Sequence, residues 1–134
     1  MESPEVRRRT MQAVKGKNTS PEMHVRRLLH KEGYRYRLHR KELPGCPDLV
    51  FSSKRKVIFV HGCFWHGHNC RRGARLPKSN TEYWRSKVSR NRTRDIAVGE
   101  WFGEFGWKVL VLWECELRDN AALLKRLNRF LKAR

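Results

Sequence analysis

The stretch DLVFSSKRKVIFVH, residues 48–61, decides the fold. Its two apolar runs, 49–51 and 57–60, are rich in valine, isoleucine and phenylalanine, which favour strands. The polar segment 52–55 between them is short enough for a tight turn, so the stretch predicts an antiparallel hairpin. Upstream, residues 34–38 alternate tyrosine or leucine with arginine, a pattern typical of a half-buried strand. The three consecutive strands predict a meander.

Helical patterns flank the predicted sheet on both sides. Thr19 followed by Glu22 predicts a helix start, because the hydroxyl can cap the helix and the carboxylate can close a capping box. The other predicted elements are the end of that helix at Gly33, a helix at 81–105 with a break near 90–92, a buried strand at 107–113, and a final helix capped by Asp119. We assign Trp101, Trp107 and Trp113 to the core. The order predicts a mixed α/β domain with a central sheet.

Length and composition limit the class of protein. The 134 residues suit a single domain at 19–134 that follows a basic N-terminal arm at 1–18. A hydrophobic share of 39% supplies one core and argues against a disordered basic chain. The sequence has no run of about 18 apolar residues and no apolar N-terminal stretch, so we expect neither a membrane span nor a secretory signal. A cytoplasmic, nucleoid-associated location is the expectation.

The charge predicts a polyanionic partner. The 31 Lys and Arg residues against 13 Asp and Glu give a formal net charge of +18. Segment 71–94 holds nine basic residues and a single acid, Glu82. Neutralisation of phosphates by such a surface drives binding to nucleic acid. The alternatives are a charged surface that serves only solubility, and binding to an anionic membrane, which is disfavoured because no basic amphipathic helix with an aromatic face is evident.

The densest chemical signal is HGCFWHGHNC, residues 61–70. It contains three of the six histidines and two of the four cysteines. Zinc favours four nitrogen or sulfur donors in a closed structural site. The predicted zinc ligands are three side chains of this loop and one that follows a strand able to lie alongside: Cys63, His68, Cys70 and Cys115. The alternative is two buried thiols with surface histidines. Cys46 is excluded as a ligand because prolines and a glycine hold it in a turn.

A second group of residues brackets the hairpin. Asp48 enters the first hairpin strand, while Val60 and His61 end the second. A carboxylate across a hairpin from such a position can hold Mg²⁺ beside a scissile phosphate. The alternatives are an aspartate that serves only the turn, a Glu22 that serves only the helix cap, and His61 and His66 as additional zinc ligands or surface groups.

Aromatic residues stand among the basic ones. Phe64 and Trp65 lie in a polar, glycine-containing loop, and Trp84 lies in a predicted helix with Arg85 and Lys87. Rings in such places can stack on bases or wedge between them. Burial in the core is the alternative, and it is harder to arrange in a polar loop than on a helix or strand.

Three strings together resemble one nuclease family: PGCPD at 44–48, VIFVHGCFWH at 57–66 and WECELR at 113–118. From about Met11 to Arg118 the sequence is similar to the very-short-patch mismatch repair endonucleases (Vsr), for which HGCFWH is highly specific. The resemblance implies a restriction-endonuclease-like fold with a central mixed sheet flanked by helices. It further implies that the enzyme nicks DNA 5′ of the thymine in T·G mismatches arising from deaminated 5-methylcytosine, with catalytic Mg²⁺ and structural Zn²⁺.

The resemblance also implies roles for individual residues. Asp48 matches the metal-binding aspartate, and Val60 holds the position whose backbone carbonyl faces the Mg²⁺. Glu22, His61 and His66 match the polar groups around the waters of that ion, with His66 as the proton acceptor. The zinc ligands match the four predicted above. The implied DNA contacts are an apolar residue on the minor-groove side, a wedge of three rings and two helix residues at the mismatched pair: Met11; Phe64, Trp65 and Trp84; Lys87 and Asn91.

The sequence departs from the wider pattern in two places. The nuclease superfamily has an acid and a lysine on the second hairpin strand, where this sequence has Val60, His61 and Gly62. The charge around the Mg²⁺ then falls mainly on Asp48, and His61 and His66 take the role of the lysine. The chain also ends soon after its last predicted helix, so we expect no C-terminal specificity element.

Two other functions fit the same residues. A zinc-stabilised DNA-binding module without catalysis would account for the missing lysine. An endonuclease of broader mismatch specificity would use the same fold. For the mismatch-specific nicking enzyme, the expected partner is double-stranded DNA with a T·G mismatch, and no membrane partner is expected. A monomer suffices to nick one strand.

Overall fold

The computed structural model describes residues 18–71 and 77–133. The helices are α1 (Ser20–Lys31), α2 (Thr81–Glu104) and α3 (Asn120–Lys132), and the strands are β1 (Arg37–Leu38), β2 (Leu49–Phe51), β3 (Lys56–His61) and β4 (Lys108–Trp113). Short 3₁₀ turns, Ser52–Lys54 and Glu114–Glu116, follow β2 and β4. The predicted arm at 1–18, with Met11, lies outside the described residues except for Asn18.

The strands form one mixed sheet in the order β1-β2-β3-β4. The first three pair antiparallel, and β3 pairs parallel with β4, from Lys56 opposite Lys108 to His61 opposite Trp113. The predicted mixed α/β class and the meander are therefore confirmed. Because β3 and β4 run in the same direction, the residues that follow them meet at one edge of the sheet.

The sheet is covered on both faces. One core joins α1 and α3 to the sheet and contains Val25, Leu29, Leu49, Phe51, Ile58, Leu112, Leu117, Leu123, Leu127 and Leu131. The other core lies on the α2 side and contains Val50, Val57, Phe59 and Phe102. Alternate residues of β3 thus enter different cores, which explains why the strand reads as a continuous apolar run. The architecture has three layers: helices, sheet, helix.

The first predicted strand is much shorter than expected. The prediction of a half-buried strand over 34–38 was wrong, since only Arg37–Leu38 is in the sheet and both residues are exposed. Tyr34 and Tyr36 instead turn their rings edge-on to Phe51, at centroid distances of 6.4 and 6.0 Å. Packing against the core therefore replaces the regular alternation that the sequence suggested.

Two expectations about helices and tryptophans also need correction. α2 runs without the predicted break near 90–92. Trp101 and Trp107 are partly buried against the core on the α2 side, as predicted. Trp113 is not a core residue within the described part of the chain: its ring packs against His61 and His68.

The last helix begins and ends on specific hydrogen bonds. Asp119 Oδ1 accepts from the backbone N–H of Ala122 at 3.1 Å, which confirms the predicted N-cap. At the other end, the buried Lys56 Nζ donates to the carbonyl of Phe130 at 2.6 Å and also to that of Ala133. A cation at this end complements the negative pole of the helix. Across the residues described, no helix has the length and apolarity needed to cross a membrane.

Candidate active site

The edge at which β3 and β4 end opens into a cleft of about 1320 Å³. Ligand sites in open α/β sheets commonly lie outside the carboxyl ends of the strands. The residues that line this cleft include Val60 and a set of acids, histidines and bases from several segments: Glu22, His39, Asp48, His61, His66, Lys87, Arg90, Arg94 and Asp95. The five residues that the resemblance places around the Mg²⁺ are all among them.

Asp48 is anchored by the hairpin. Its Oδ2 accepts a hydrogen bond from the backbone N–H of Val60 at 2.7 Å. The N–H and C=O of one strand residue point to the same side of the strand, so we expect the Val60 carbonyl to face the Asp48 side of β3 as well. Asp48 Oδ1 is not used by this bond, and it lies 3.9 Å from His39 Nε2.

Glu22 and His39 complete a three-residue group with Asp48. One ligand atom from each lies within 4.8 Å of the others. The backbone N–H of His39 donates to the Asp48 carbonyl at 3.4 Å, which continues the β1–β2 pairing and places the two residues opposite each other. Glu22 Oε2 lies 2.8 Å from His39 Nε2.

Glu22 is both a capping residue and a residue of the cleft. The Thr19 hydroxyl accepts from the Glu22 N–H at 3.4 Å, as predicted. Glu22 Oε1, however, accepts from the N–H of Asn18 at 3.2 Å rather than from that of Thr19. Its Oε2 lies 3.4 Å from Arg26 Nη1, and the side chain is only 2% exposed. The helix cap therefore holds a buried carboxylate at the wall of the cleft.

Burial raises the pKa of Asp48 to about 7. The Val60 N–H opposes this shift, and the neighbouring Glu22 carboxylate adds to it. A buried carboxylate and a partly buried one beside it are costly to ionise together, and a bound cation relieves that cost. The oxygen donors of this group therefore fit a divalent cation.

We predict that ionisation of Asp48 destabilises the protein when no divalent cation is added to this site. Its pKa rises from 3.8 to about 7 on folding, so the folded state binds more protons than the unfolded state between those values. Stability contributed by this group is therefore lost as the pH rises from about 4 to 7. Asp48→Asn should become more stable than the wild type by a margin that grows over this interval to the order of a few kcal/mol.

Urea unfolding from pH 4 to 7.5 measures this margin for wild type and Asp48→Asn. The matched control is Asp119→Asn, because asparagine caps helices as well as aspartate does. Parallel stability curves for wild type and Asp48→Asn would contradict the prediction.

A second group in the cleft consists of His61, His66 and Asp95. The two imidazole rings are stacked, with centroids 3.7 Å apart and planes 1° apart. His66 Nδ1 lies 2.6 Å from Asp95 Oδ2, which favours a proton on Nδ1 and leaves Nε2 as the accepting nitrogen. Burial, aided by the charge of His66, lowers the pKa of His61 to about 4. His61 is thus neutral at pH 7.

Sequence patterns do not reveal His39 or Asp95. Asp95 lies in α2 directly after the basic segment 85–94. An acid next to so many basic residues is the only feature of the sequence that could have marked Asp95 as a site residue. It meets His66 only because the loop after β3 packs on α2. His39 reaches Glu22 only because α1 packs against the sheet. Both contacts are tertiary.

The structure brings together the four predicted zinc ligands, Cys63, His68, Cys70 and Cys115, with ligand atoms within 4.8 Å of one another. The N–H of Cys115 donates to Cys63 Sγ at 3.4 Å, and Cys115 Sγ lies 3.6 Å from His68 Nδ1. The Trp113 ring stacks on His68 with centroids 4.2 Å apart. Three sulfurs and one imidazole are the donors of a closed structural zinc site. The ion itself stays a prediction.

The membership of the cluster supports that prediction. Burial raises the pKa of Cys63 to about 12, and the neighbouring thiols add to the shift. A cation would hold such sulfurs as thiolates. Within the described ranges Cys46 is outside this cluster, as predicted, and His61 and His66 belong to the group with Asp95 rather than to the sulfur donors.

Phe64, Trp65 and Trp84 form an aromatic cluster beside the cleft. Their rings meet edge to face at centroid distances of 5.1, 5.7 and 5.4 Å. Lys87 Nζ lies 5.8 Å from the centroid of the Trp65 ring. All three rings are half-buried and belong to neither core of the described chain, so core burial does not account for them.

The loop that carries two of these rings is fastened to α2. Asn91 Nδ2 donates to the Trp65 carbonyl at 2.7 Å. The side-chain amide of Asn91, which was predicted to contact DNA, therefore also holds the loop. Gly67 has a φ of +63°, and a Cβ there would lie 2.7 Å from both Val88 Cγ1 and Arg92 Cδ. Only glycine fits this close approach.

A cleft with carboxylates and histidines at the carboxyl edge of a mixed sheet, beside basic side chains, suits an enzyme that cleaves phosphodiesters. The family model for the DNA mismatch endonuclease Vsr matches residues 1–72. The type II nicking enzyme V.XorIIP of Xanthomonas oryzae pv. oryzae is 57% identical over 129 residues, which are 96% of this chain and 94% of that protein.

Two further relatives agree with this match. The type II nicking enzyme V.NmeAIP of Neisseria meningitidis is 44% identical over 122 residues, 91% of this chain and 86% of that protein. The DNA mismatch endonuclease Vsr of Escherichia coli K12 is 38% identical over 130 residues, 93% of this chain and 83% of that protein. The chain belongs to the Vsr family of DNA mismatch endonucleases, and the resemblance drawn from its sequence is confirmed.

Proposed function

We propose that this protein nicks double-stranded DNA 5′ of the thymine in T·G mismatches that arise from deaminated 5-methylcytosine, and so starts very-short-patch repair. The observation that carries the proposal is one cleft that holds both the Glu22–His39–Asp48 group and the His61–His66–Asp95 group. In a member of the Vsr family, such a cleft is where the scissile phosphate would bind. The substrate is chromosomal DNA, so the enzyme would act at the nucleoid.

Asp48 and Val60 would hold a divalent cation such as Mg²⁺. Asp48 Oδ1 and the Val60 carbonyl are hard oxygen donors, which Mg²⁺ prefers. When bound, the cation supplies positive charge beside the scissile phosphate and so stabilises the charge that develops there. Glu22 adds a second buried carboxylate to the same wall.

His66 accepts the proton of the attacking water in this proposal. Histidine is the side chain that most often serves as a general base in enzymes. Asp95 fixes the ring through Nδ1, which presents Nε2 for the proton. His61, being neutral, cannot replace the positive charge of a lysine. Lys87, Arg90 and Arg94 line the same cleft and supply it.

The aromatic cluster would test the duplex for a mismatch. A wedge between bases costs a few kcal/mol of unstacking, and a mismatched step costs least. The basic arm at 1–18 and the helix segment 85–94 would hold the backbone on either side. Preference for mismatched DNA then needs only a small base-reading surface.

A panel of synthetic duplexes tests the function. End-labelled duplexes with a T·G, an A·C or a T·T mismatch, or none, are incubated with and without Mg²⁺ and resolved on a denaturing gel. We expect one nick, 5′ of the thymine, in the T·G duplex and only with the cation. Comparable cleavage of all mismatches would indicate the broader endonuclease. Binding without cleavage would indicate the DNA-binding module, which the missing lysine of the second hairpin strand favours.

Trp65→Ala should reduce discrimination between mismatched and paired DNA by about tenfold, because the stacking of one ring on a base is worth 1–3 kcal/mol. Overall affinity should fall less, since the phosphate contacts remain. Phe105→Ala is the matched control: Phe105 is 57% exposed but lies about 30 Å along α2 from Trp84. Binding titrations of both duplexes measure the ratio. An unchanged ratio in Trp65→Ala would make the ring a structural residue only.

A further inference from the structure

His39 Nε2 is a buried nitrogen without a hydrogen-bond partner among the described residues. The side chain is only 10% exposed. Glu22 Oε2 lies 2.8 Å away, yet the two atoms do not form a hydrogen bond. Leaving such a buried polar atom unpaired is costly. An atom of this kind at the wall of a cleft indicates a ligand that the nitrogen is positioned to bind.

The neighbours of this nitrogen are carboxylate oxygens. Besides Glu22 Oε2, Asp48 Oδ1 lies 3.9 Å from His39 Nε2. Two ligands about 2.1 Å from one cation are separated by at most about 4.2 Å, so both separations suit a shared ion. The three side chains come from α1, the end of β1 and the start of β2, so the fold positions them together.

We propose that His39 Nε2 is a direct ligand of the divalent cation, together with Glu22 and Asp48, and that this site prefers a first-row transition metal such as Mn²⁺ or Co²⁺ to Mg²⁺. The inference rests on the proposed function, because the cation bound by His39 would be the same cation that the enzyme uses to nick DNA. Imidazole nitrogen is a favourable donor for transition metals, whereas Mg²⁺ favours oxygen. Mg²⁺ at sufficient concentration still fills the site through its oxygen donors.

Pulsed EPR of bound Mn²⁺ tests the nitrogen ligand directly. The probe is Mn²⁺ alone, added to the full chain with its Cys/His cluster already loaded with zinc and without DNA. We expect nitrogen modulation from one imidazole in the wild type, changed by ¹⁵N-histidine labelling and lost in His39→Gln. The Mn²⁺ dissociation constant should rise at least about 10–100-fold in His39→Gln. Removal of a residue that only hydrogen-bonds a metal ligand already lowers metal affinity by that factor, so the removal of a ligand should cost no less. The Mg²⁺ constant should change far less.

His61→Gln is the matched control, because His61 Nδ1 is the other buried nitrogen without a hydrogen-bond partner in the described chain. This variant should retain the modulation. Modulation that survives in His39→Gln, or that disappears in His61→Gln, would overturn the proposal. The wild type labelled with ¹⁵N-histidine keeps the test decisive even if His39→Gln does not fold. If the Mn²⁺ spectrum of the wild type shows no modulation from histidine nitrogen, the proposal is overturned.

Nicking assays with Mg²⁺ and Mn²⁺ separate this inference from the function. A wild type that nicks the T·G duplex but shows no nitrogen ligand would refute the role of His39 and leave the function standing. A wild type that binds Mn²⁺ through His39 but nicks no mismatched duplex would support the site and refute the function.

Discussion

If the proposed function holds, Asp48→Asn should lower the rate of T·G nicking by at least about 10³-fold, because it removes the charge that would hold the proposed cation, and such a cation is worth several kcal/mol in the transition state. Affinity for the mismatched duplex should stay close to that of the wild type, since the basic surface and the aromatic cluster are unchanged. The substitution preserves shape, and an amide oxygen can still accept from the Val60 N–H that Asp48 Oδ2 uses at 2.7 Å. Loss of rate therefore reports loss of charge.

Single-turnover nicking and binding titrations on the same duplex measure the two effects. Asp119→Asn, at the N-cap of α3, controls for a generic change of aspartate to asparagine. If Asp48→Asn cleaves at a rate near that of the wild type, Asp48 has no place in the reaction.

If the Cys/His cluster holds the predicted zinc, Cys115→Ser should abolish zinc binding there and lower the melting temperature by about 10 °C or more. A structural zinc contributes directly to folding, and a loss of about 3 kcal/mol shifts the melting temperature of a domain of this size by that amount. Cys115 joins the loop after β3 to the turn after β4, with its N–H bonded to Cys63 Sγ at 3.4 Å. Loss of the ion would therefore also loosen the loop that carries His66 and Trp65.

Cys46→Ser is the matched control, because Cys46 lies outside the cluster. We expect one zinc per chain by elemental analysis in the wild type and in Cys46→Ser, and almost none in Cys115→Ser. Circular dichroism melts give the stability. If Cys115→Ser keeps both its metal content and its melting temperature, the cluster is only a set of buried thiols.

Local signals account for what the sequence predicted correctly about the fold. The caps at Thr19 and Asp119 act within one helical turn, so the chain around them suffices to place each helix start. The hairpin depends on two apolar runs, 49–51 and 57–60, separated by five residues. The prediction of a strand over 34–38 was wrong: Tyr34 and Tyr36 pack their rings edge-on against Phe51 and do not extend the ladder. Such packing depends on a residue of another strand.

The candidate site divides in the same way. Three of the four cluster ligands lie in one loop, where the clustering of Cys and His within ten residues favoured a metal site over buried thiols. Asp48 and Val60 are linked by the hairpin register, which the sequence also predicts. Asp95 contacts His66 across 29 positions of the chain. Nothing local to either residue indicates the other.

By itself, the sequence determined the hairpin, the helix starts, the Cys/His loop and the membership of the Vsr family, because each depends on residues close together along the chain or on a specific string. Only the tertiary structure decided that His39 joins Glu22 and Asp48, and that Asp95 orients His66. The physical reason is that these contacts form when α1 and α2 pack on opposite faces of the sheet. Helix packing depends on the shape of both cores, which no short segment encodes.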